Sequence, residues 1–187
     1  HDLHVGPHPR EPLVQFEAVV STGEDERAFI FDLGLSGAGS GWKAFAWTDT
    51  EGRRCKVPAD ESDPAEPLAV RHRMLACEGA QGSVAIFPPP HQFFFPVDIT
   101  TNTRFLWRGR GHQGEKRFGF GIRQDARGGG NFVPWFNAPP GTKQRLGLFL
   151  LLDPGPADHA LAEALRYTRG DRFAELPGLT TSTSPDH

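Results

Sequence analysis

"TRFLWRGRGHQGEKRFGFGIRQ", residues 103 to 124, alternates rings and aliphatic side chains with arginine and glycine. A period of two belongs to a β-strand, whose successive side chains point to opposite faces; a helix would repeat its apolar face every three to four residues. Residues 103 to 110 and 116 to 124 therefore read as paired strands around a glycine-containing turn. In that reading Phe105 and Trp107 point inward with Phe118, Phe120 and Ile122. Arg104, Leu106, Arg108 and Arg110 point outward with Arg117, Gly119, Gly121 and Arg123. The hairpin buries its rings and turns a cationic face to water.

The same grammar runs through the rest of the chain. Short apolar or alternating runs bounded by Gly, Pro, Asp or Asn recur at 12 to 20, 27 to 34, 42 to 49, 68 to 77, 82 to 88, 92 to 98, 131 to 136 and 144 to 153. Their Phe, Val, Ile and Trp side chains suit a pleated, half-buried surface. This spacing predicts an all-β fold, a two-sheet antiparallel β-sandwich of about ten strands, with a barrel as the alternative. One segment departs from it: Leu161, Ala164, Leu165 and Thr168 fall at helical spacing, which predicts one C-terminal α-helix near 156–168. Pro156 suits its first turn, Asp158 the positive end of its dipole, and Gly170 a left-handed terminus. A chain of 187 residues suits a single sandwich domain, 1–178, followed by an irregular Thr/Ser-rich tail, 179–187. The longest apolar run, at 146 to 153, has the length of a strand and predicts no membrane span.

Charge is unevenly distributed. Between residues 104 and 127 seven basic residues meet two acidic ones, a local +5 in a chain of net −3, so the remainder carries −8. Arg104, Arg108, Arg110, Arg117 and Arg123 are candidate ligands for carboxylate, sulfate or phosphate, because a guanidinium makes forked hydrogen bonds to such groups. The competing reading is a solvated outer sheet surface. A nucleic-acid partner is disfavoured by a sequence pI of 6.2, since its footprint is ordinarily a basic domain. Nearby, "NFVPWFNAPPGT" (131 to 142) places Trp135 beside Asn137. An exposed indole with an adjacent amide forms a sugar-stacking platform, and the alternative is a plug at the end of the core.

The N-terminus and the cysteines raise two further questions. His1, His4 and His8 cluster at the start, and a mature terminal His1 can chelate copper through its amine and ring together with His4. That resembles the histidine brace of copper-dependent polysaccharide oxygenases, which are β-sandwiches of similar size. His72, His91, His112 and His159 show no zinc-type spacing. A hydrolase would instead draw on His91 or His112 with strand-end carboxylates such as Asp98 and Asp125. Cys55 and Cys77 flank an acidic loop and either form a disulfide between the strands that it joins, which would favour an oxidising compartment, or remain two thiols.

"ACEGAQGSVAIFPPPHQFFFPVD", "FGFGIRQ", "FVPWFNAPPGT", "RYTRGDRF" and "LPG", in that order over residues 76–178, resemble the β-rich front domain of large secreted bacterial proteins. In those proteins the region precedes a metal-dependent phosphoesterase domain of the PHP type. The resemblance implies a secreted or periplasmic accessory sandwich. It carries over no metal chemistry, because the His-x-His pair that opens the family's metal site is absent after Pro177 and Gly178. The leading expectation is a non-catalytic extracellular module binding carbohydrate, and an anionic glycan above all, with no cofactor. The alternatives are the copper oxygenase, the glycan-active hydrolase, and a structural or assembly module whose aromatics bury against an adjoining domain or partner chain.

Overall fold

Among the described residues, two antiparallel sheets and one helix carry the fold, as the alternation and the helical spacing predict. The computed structural model describes residues 2–7 (as backbone), 12–25, 29, 32–37, 41–90, 106–112, 116–123 and 139–171. In chain order the strands are β1 (Asp2–Pro7), β2 (Leu13–Val20), β3 (Asp32–Gly37), β4 (Trp42–Thr48), β5 (Arg54–Pro58) and β6 (Glu66–Leu68). Then come β7 (Leu75–Gly79), β8 (Ser83–Phe87), β9 (Leu106–Arg110), β10 (Phe118–Arg123), β11 (Gln144–Asp153) and the helix α1 (Ala157–Tyr167). Seven strands form one sheet in the order β1-β2-β11-β8-β7-β4-β5, and four form the other in the order β3-β10-β9-β6.

The core lies between the sheets. Phe45 on β4 meets Phe118 and Phe120 on β10 with ring centroids 5.8 and 5.4 Å apart, and Trp42 meets Phe120 edge-on at 5.2 Å. Leu75, Ile86, Leu148 and Leu150 complete the inner face of the large sheet. Its opposite face carries Ala46, Ala76 and Ala85 side by side in register, with Leu151 next to Ala85. Three methyl groups in a row leave room for a helix backbone. There α1 buries Ala157, Ala160, Leu161 and Ala164 completely, and Tyr167 packs on Phe87 and Phe149. The molecule thus has three layers: small sheet, large sheet, helix.

Both helix ends are secured by other parts of the chain. Pro156 is the extended N-cap residue and offers no side-chain cap; Glu78 on β7 substitutes, accepting from the Ala157 N–H at 3.2 Å while Lys56 holds the same carboxylate at 3.0 Å. Those bonds keep the Glu78 carboxyl below the ordinary glutamate value of 4.5. At the C-terminus the Gly170 N–H reaches back to the Leu165 carbonyl and the Arg169 N–H to that of Arg166, the two bonds of a Schellman turn. Gly170 is left-handed as expected, at φ 78°, but Arg169 already occupies the first left-handed position at φ 53° and Asp171 follows at φ 53°. A non-glycine residue there costs about 1–2 kcal/mol. A buried ion pair holds the segment: Asp171 accepts from the Arg73 backbone N–H at 2.7 Å and from its guanidinium at 3.2 and 2.8 Å, with both side chains at most 2% exposed.

The structure corrects several expectations. β9 pairs with β10 so that Arg110 faces Phe118, Arg108 faces Phe120 and Leu106 faces Ile122. Directly opposed residues share a face, so Leu106 and Arg108 lie on the inner side and Trp107 on the outer, the reverse of the sequence reading. Leu106 is fully buried. Trp107 finds its space outside because its opposite number is Gly121. Within the run 68 to 77, Leu68 ends β6 and Leu75 begins β7, with no strand between them, and the described end of the run 27 to 34 belongs to β3 at Asp32–Gly37. β1, β5 and β6 escaped the pattern, β6 because it lies in the acidic loop. Cys55 and Cys77 are unbonded. They pair with Trp47 and Phe45 across opposite edges of β4, which puts them at least two strand spacings, roughly 9–10 Å, apart, beyond the reach of a disulfide. Burial pushes the Cys77 thiol far above its ordinary range. The expected runs 92 to 98 and 131 to 136 and the tail 179–187 lie outside the described residues.

Candidate functional site on the outer face of the small sheet

The outer face of the four-stranded sheet is built for an aromatic ring lying flat. Gly34 on β3 and Gly121 on β10 are paired neighbours, and Trp107 is opposite Gly121. A Cβ on Gly121 would sit 2.5 Å from the Trp107 Nε1 and 2.7 Å from the Leu33 carbonyl oxygen, so any side chain there would displace the indole. His112, five residues after Trp107 and beyond the glycine pair Gly109 and Gly111, folds back over the ring. The two ring planes stack at 3.7 Å with 6° between them. Trp107 is thereby enclosed between strand backbone and imidazole and only 6% exposed.

Asp32 ties the stack to β3. Its Oδ1 accepts from the Trp107 Nε1–H at 3.2 Å and its Oδ2 lies 2.8 Å from the His112 Nε2. A carboxylate only accepts, so the His112 Nε2–H donates to Asp32 and the Nδ1 edge takes no part in that contact. Beside this cluster opens a shallow cavity of about 250 Å³ lined by Asp32, Gly34, Leu35, Ser36, Trp107, His112 and Arg117. Its chemistry is mixed: a guanidinium, an imidazole edge, a hydroxyl and a carboxylate around a floor of glycine backbone.

The candidate arginines separate into two groups. Arg108 lies at the edge of the core, its guanidinium 5.9 and 6.0 Å from the Phe45 and Trp47 ring centroids, and it is neutralised by Asp63 at 2.9 Å and Glu66 at 2.7 Å. Arg110 donates to the carbonyls of Glu61 and Lys116 at 2.8 and 2.7 Å, with the Glu61 carboxylate 3.7 Å away. These two brace the acidic loop against the hairpin. Arg117 behaves differently: it lines the cavity, is exposed, and has no ion pair among the described residues. Arg123 is the register partner of Asp32 and shares the outer face with Gly121; its Nε is buried without a hydrogen-bond partner among the described residues.

Arg104, Trp135, Asn137, His1, His91, Asp98 and Asp125 lie outside the described residues, and of His4 only the backbone is described, on β1. Among the described residues no three His, Cys, Asp or Glu side chains gather as a metal site, and no helix is long and apolar enough to cross a membrane. Sequence reasoning passed over Asp32, Ser36 and His112 as members of one site. His112 and Asp32 are 80 positions apart, which no local pattern spans. The available clue was the glycine at alternate positions of "FGFGI", 118 to 122, which marks a strand face over which something else lies. No family model matches the chain and no curated protein matches it.

Proposed function

We propose that the chain is a non-catalytic β-sandwich module that binds an anionic saccharide on the outer face of the small sheet. The carrying observation is Arg117, a cation without an ion-pair partner among the described residues, at a cavity whose other polar groups are a hydroxyl, an imidazole edge and a carboxylate. A uronate or sulfate group would meet Arg117 in a charge-assisted bond, and sugar hydroxyls would meet Ser36, the His112 Nδ1 and Asp32. This places the ligand one sheet face away from Arg108 and Arg110, whose charges are already spent. The indole of Trp107 acts as a floor that fixes His112. It offers no open stacking surface. An extracellular or periplasmic setting rests on the family resemblance of residues 76–178 alone, since the cysteines form no bridge.

Titration calorimetry with uronate-containing, sulfated and neutral oligosaccharides tests the reading. Binding of an acidic oligosaccharide that weakens about tenfold in Arg117→Ala, a loss of roughly 1.4 kcal/mol, supports it. Equal binding of the neutral sugars, or unchanged affinity in Arg117→Ala, overturns it. The hydrolase alternative draws on one observation, the Asp32–His112 contact at 2.8 Å, which is the orienting half of a general base. Product release from the same oligosaccharides that vanishes in His112→Gln would favour it.

A further inference from the structure

The ionisable side chains that line the outer-face cavity are Asp32, His112 and Arg117. Carboxylates and guanidiniums ordinarily keep their charge between about pH 5 and 8, whereas an imidazole is the side chain that gains or loses a proton there. We propose that His112 takes up a proton when an acidic saccharide binds at Arg117, so that the site grips its ligand more tightly as pH falls. The inference rests on the saccharide reading of this cavity and adds its regulation.

The geometry around the ring carries it. The His112 Nε2–H donates to the Asp32 carboxylate at 2.8 Å, and the ring face lies on the Trp107 indole at 3.7 Å with 6° between the planes. Both contacts accept a charged ring without rearrangement, because the carboxylate is an anion at ion-pair distance and an indole face attracts a cation. The second proton goes to Nδ1, the edge that takes no part in the Asp32 contact. The ring therefore changes charge where it stands. With its side chain only 14% exposed, it is shielded from water, and a charge set beside it acts through a medium less polar than the solvent.

Among the described residues, charges stand around the ring on three elements. Asp32 comes from β3, and its register partner Arg123 lies on the same face of β10. Arg117, just ahead of β10, lines the cavity, and Lys116 beside it is exposed. On β9, which carries Trp107, Arg108 is neutralised by Asp63 and Glu66, and Arg110 is held by the Glu61 and Lys116 carbonyls. Arg117 and Asp32 thus act on a charged ring with opposite signs. A uronate or sulfate seated at Arg117 offsets the guanidinium charge and gains a further N–H donor when Nδ1 is protonated. Anion and proton then favour each other's binding, and the coupling is reciprocal.

Calorimetry of the full chain with a chondroitin 6-sulfate tetrasaccharide tests this, because the sulfates and carboxylates of that probe stay charged from about pH 5.5 to 8. Affinity should rise roughly five- to tenfold from about pH 8 to pH 5.5. Near neutral pH the binding heat should vary with the ionisation enthalpy of the buffer in the sense of proton uptake. In the free protein the His112 ring resonance, identified by its loss in His112→Gln, should titrate, and its midpoint should rise when the probe is added. The His112→Gln protein, which keeps an N–H for Asp32, should bind with nearly the same affinity across the range. If that variant does not fold, the buffer dependence and the ring titration of the wild type decide alone. Binding that weakens in Arg117→Ala but is independent of pH and buffer leaves the saccharide reading standing and overturns this inference. A pH response that persists in folded His112→Gln overturns it as well, and no binding at any pH removes both.

Discussion

The two outer faces of this sandwich use small residues for opposite ends. On the large sheet, Ala46, Ala76 and Ala85 form a shallow bed that admits a helix and is sealed by it, with Leu161 and three helix alanines fully buried. On the small sheet, Gly34 and Gly121 admit one indole and one imidazole and leave a cavity beside them. Alanine still packs, so it closes a surface against a broad partner; glycine removes the side chain altogether and lets a ring contact backbone. The first face is an extension of the core, and the second is where polar groups stay within reach of solvent.

Stability measurements can break that contrast. Leu161→Ala on the sealed face should cost about 2–5 kcal/mol in urea unfolding, the range for a fully buried leucine. Gly121→Ala on the open face should cost about 1–3 kcal/mol, the range for overpacking, and should shift the indole resonance of Trp107 as the ring is lifted from the strand. If the glycine substitution proved the more damaging, the open face would be the better packed of the two and the distinction would fail. Glu78→Gln removes the carboxylate that caps the helix and should cost about 1 kcal/mol at neutral pH. Because the folded protein holds this carboxyl below its ordinary 4.5, its contribution is present above that value and is lost as pH falls through the lower folded value. The gap between variant and wild type should therefore close on acidification below about pH 4.5. The smallest effect is expected from reductant: with β4 between Cys55 and Cys77, the unfolding midpoint should be the same with and without it, and thiol titration should find both groups free.

Much of the architecture could be read from the chain, because alternation and turn residues are local. β2, β4, β8, β10, β11 and the helix all lie close to where the pattern put them. The facing of β9 was read wrongly, since period two separates two sets of side chains without saying which set has room. Room was decided by Gly121, on a neighbouring strand, which receives Trp107, and by the acidic Asp63 and Glu66, which allow Arg108 to lie against Phe45 and Trp47. The cavity was less legible still. Arg117 was named from its charge, but Asp32 and His112 meet only through the pairing of β3 with β10 and the return of the chain after β9. That is tertiary information.

Among the described residues the large sheet ends on β5, which exposes Arg54 and Pro58. Pro58 has no N–H to lend, and a second molecule approaching edge-on would set its own exposed Arg54 against this one. Among the described residues, Arg54 and Pro58 therefore oppose growth of the sheet from one copy into the next on that side.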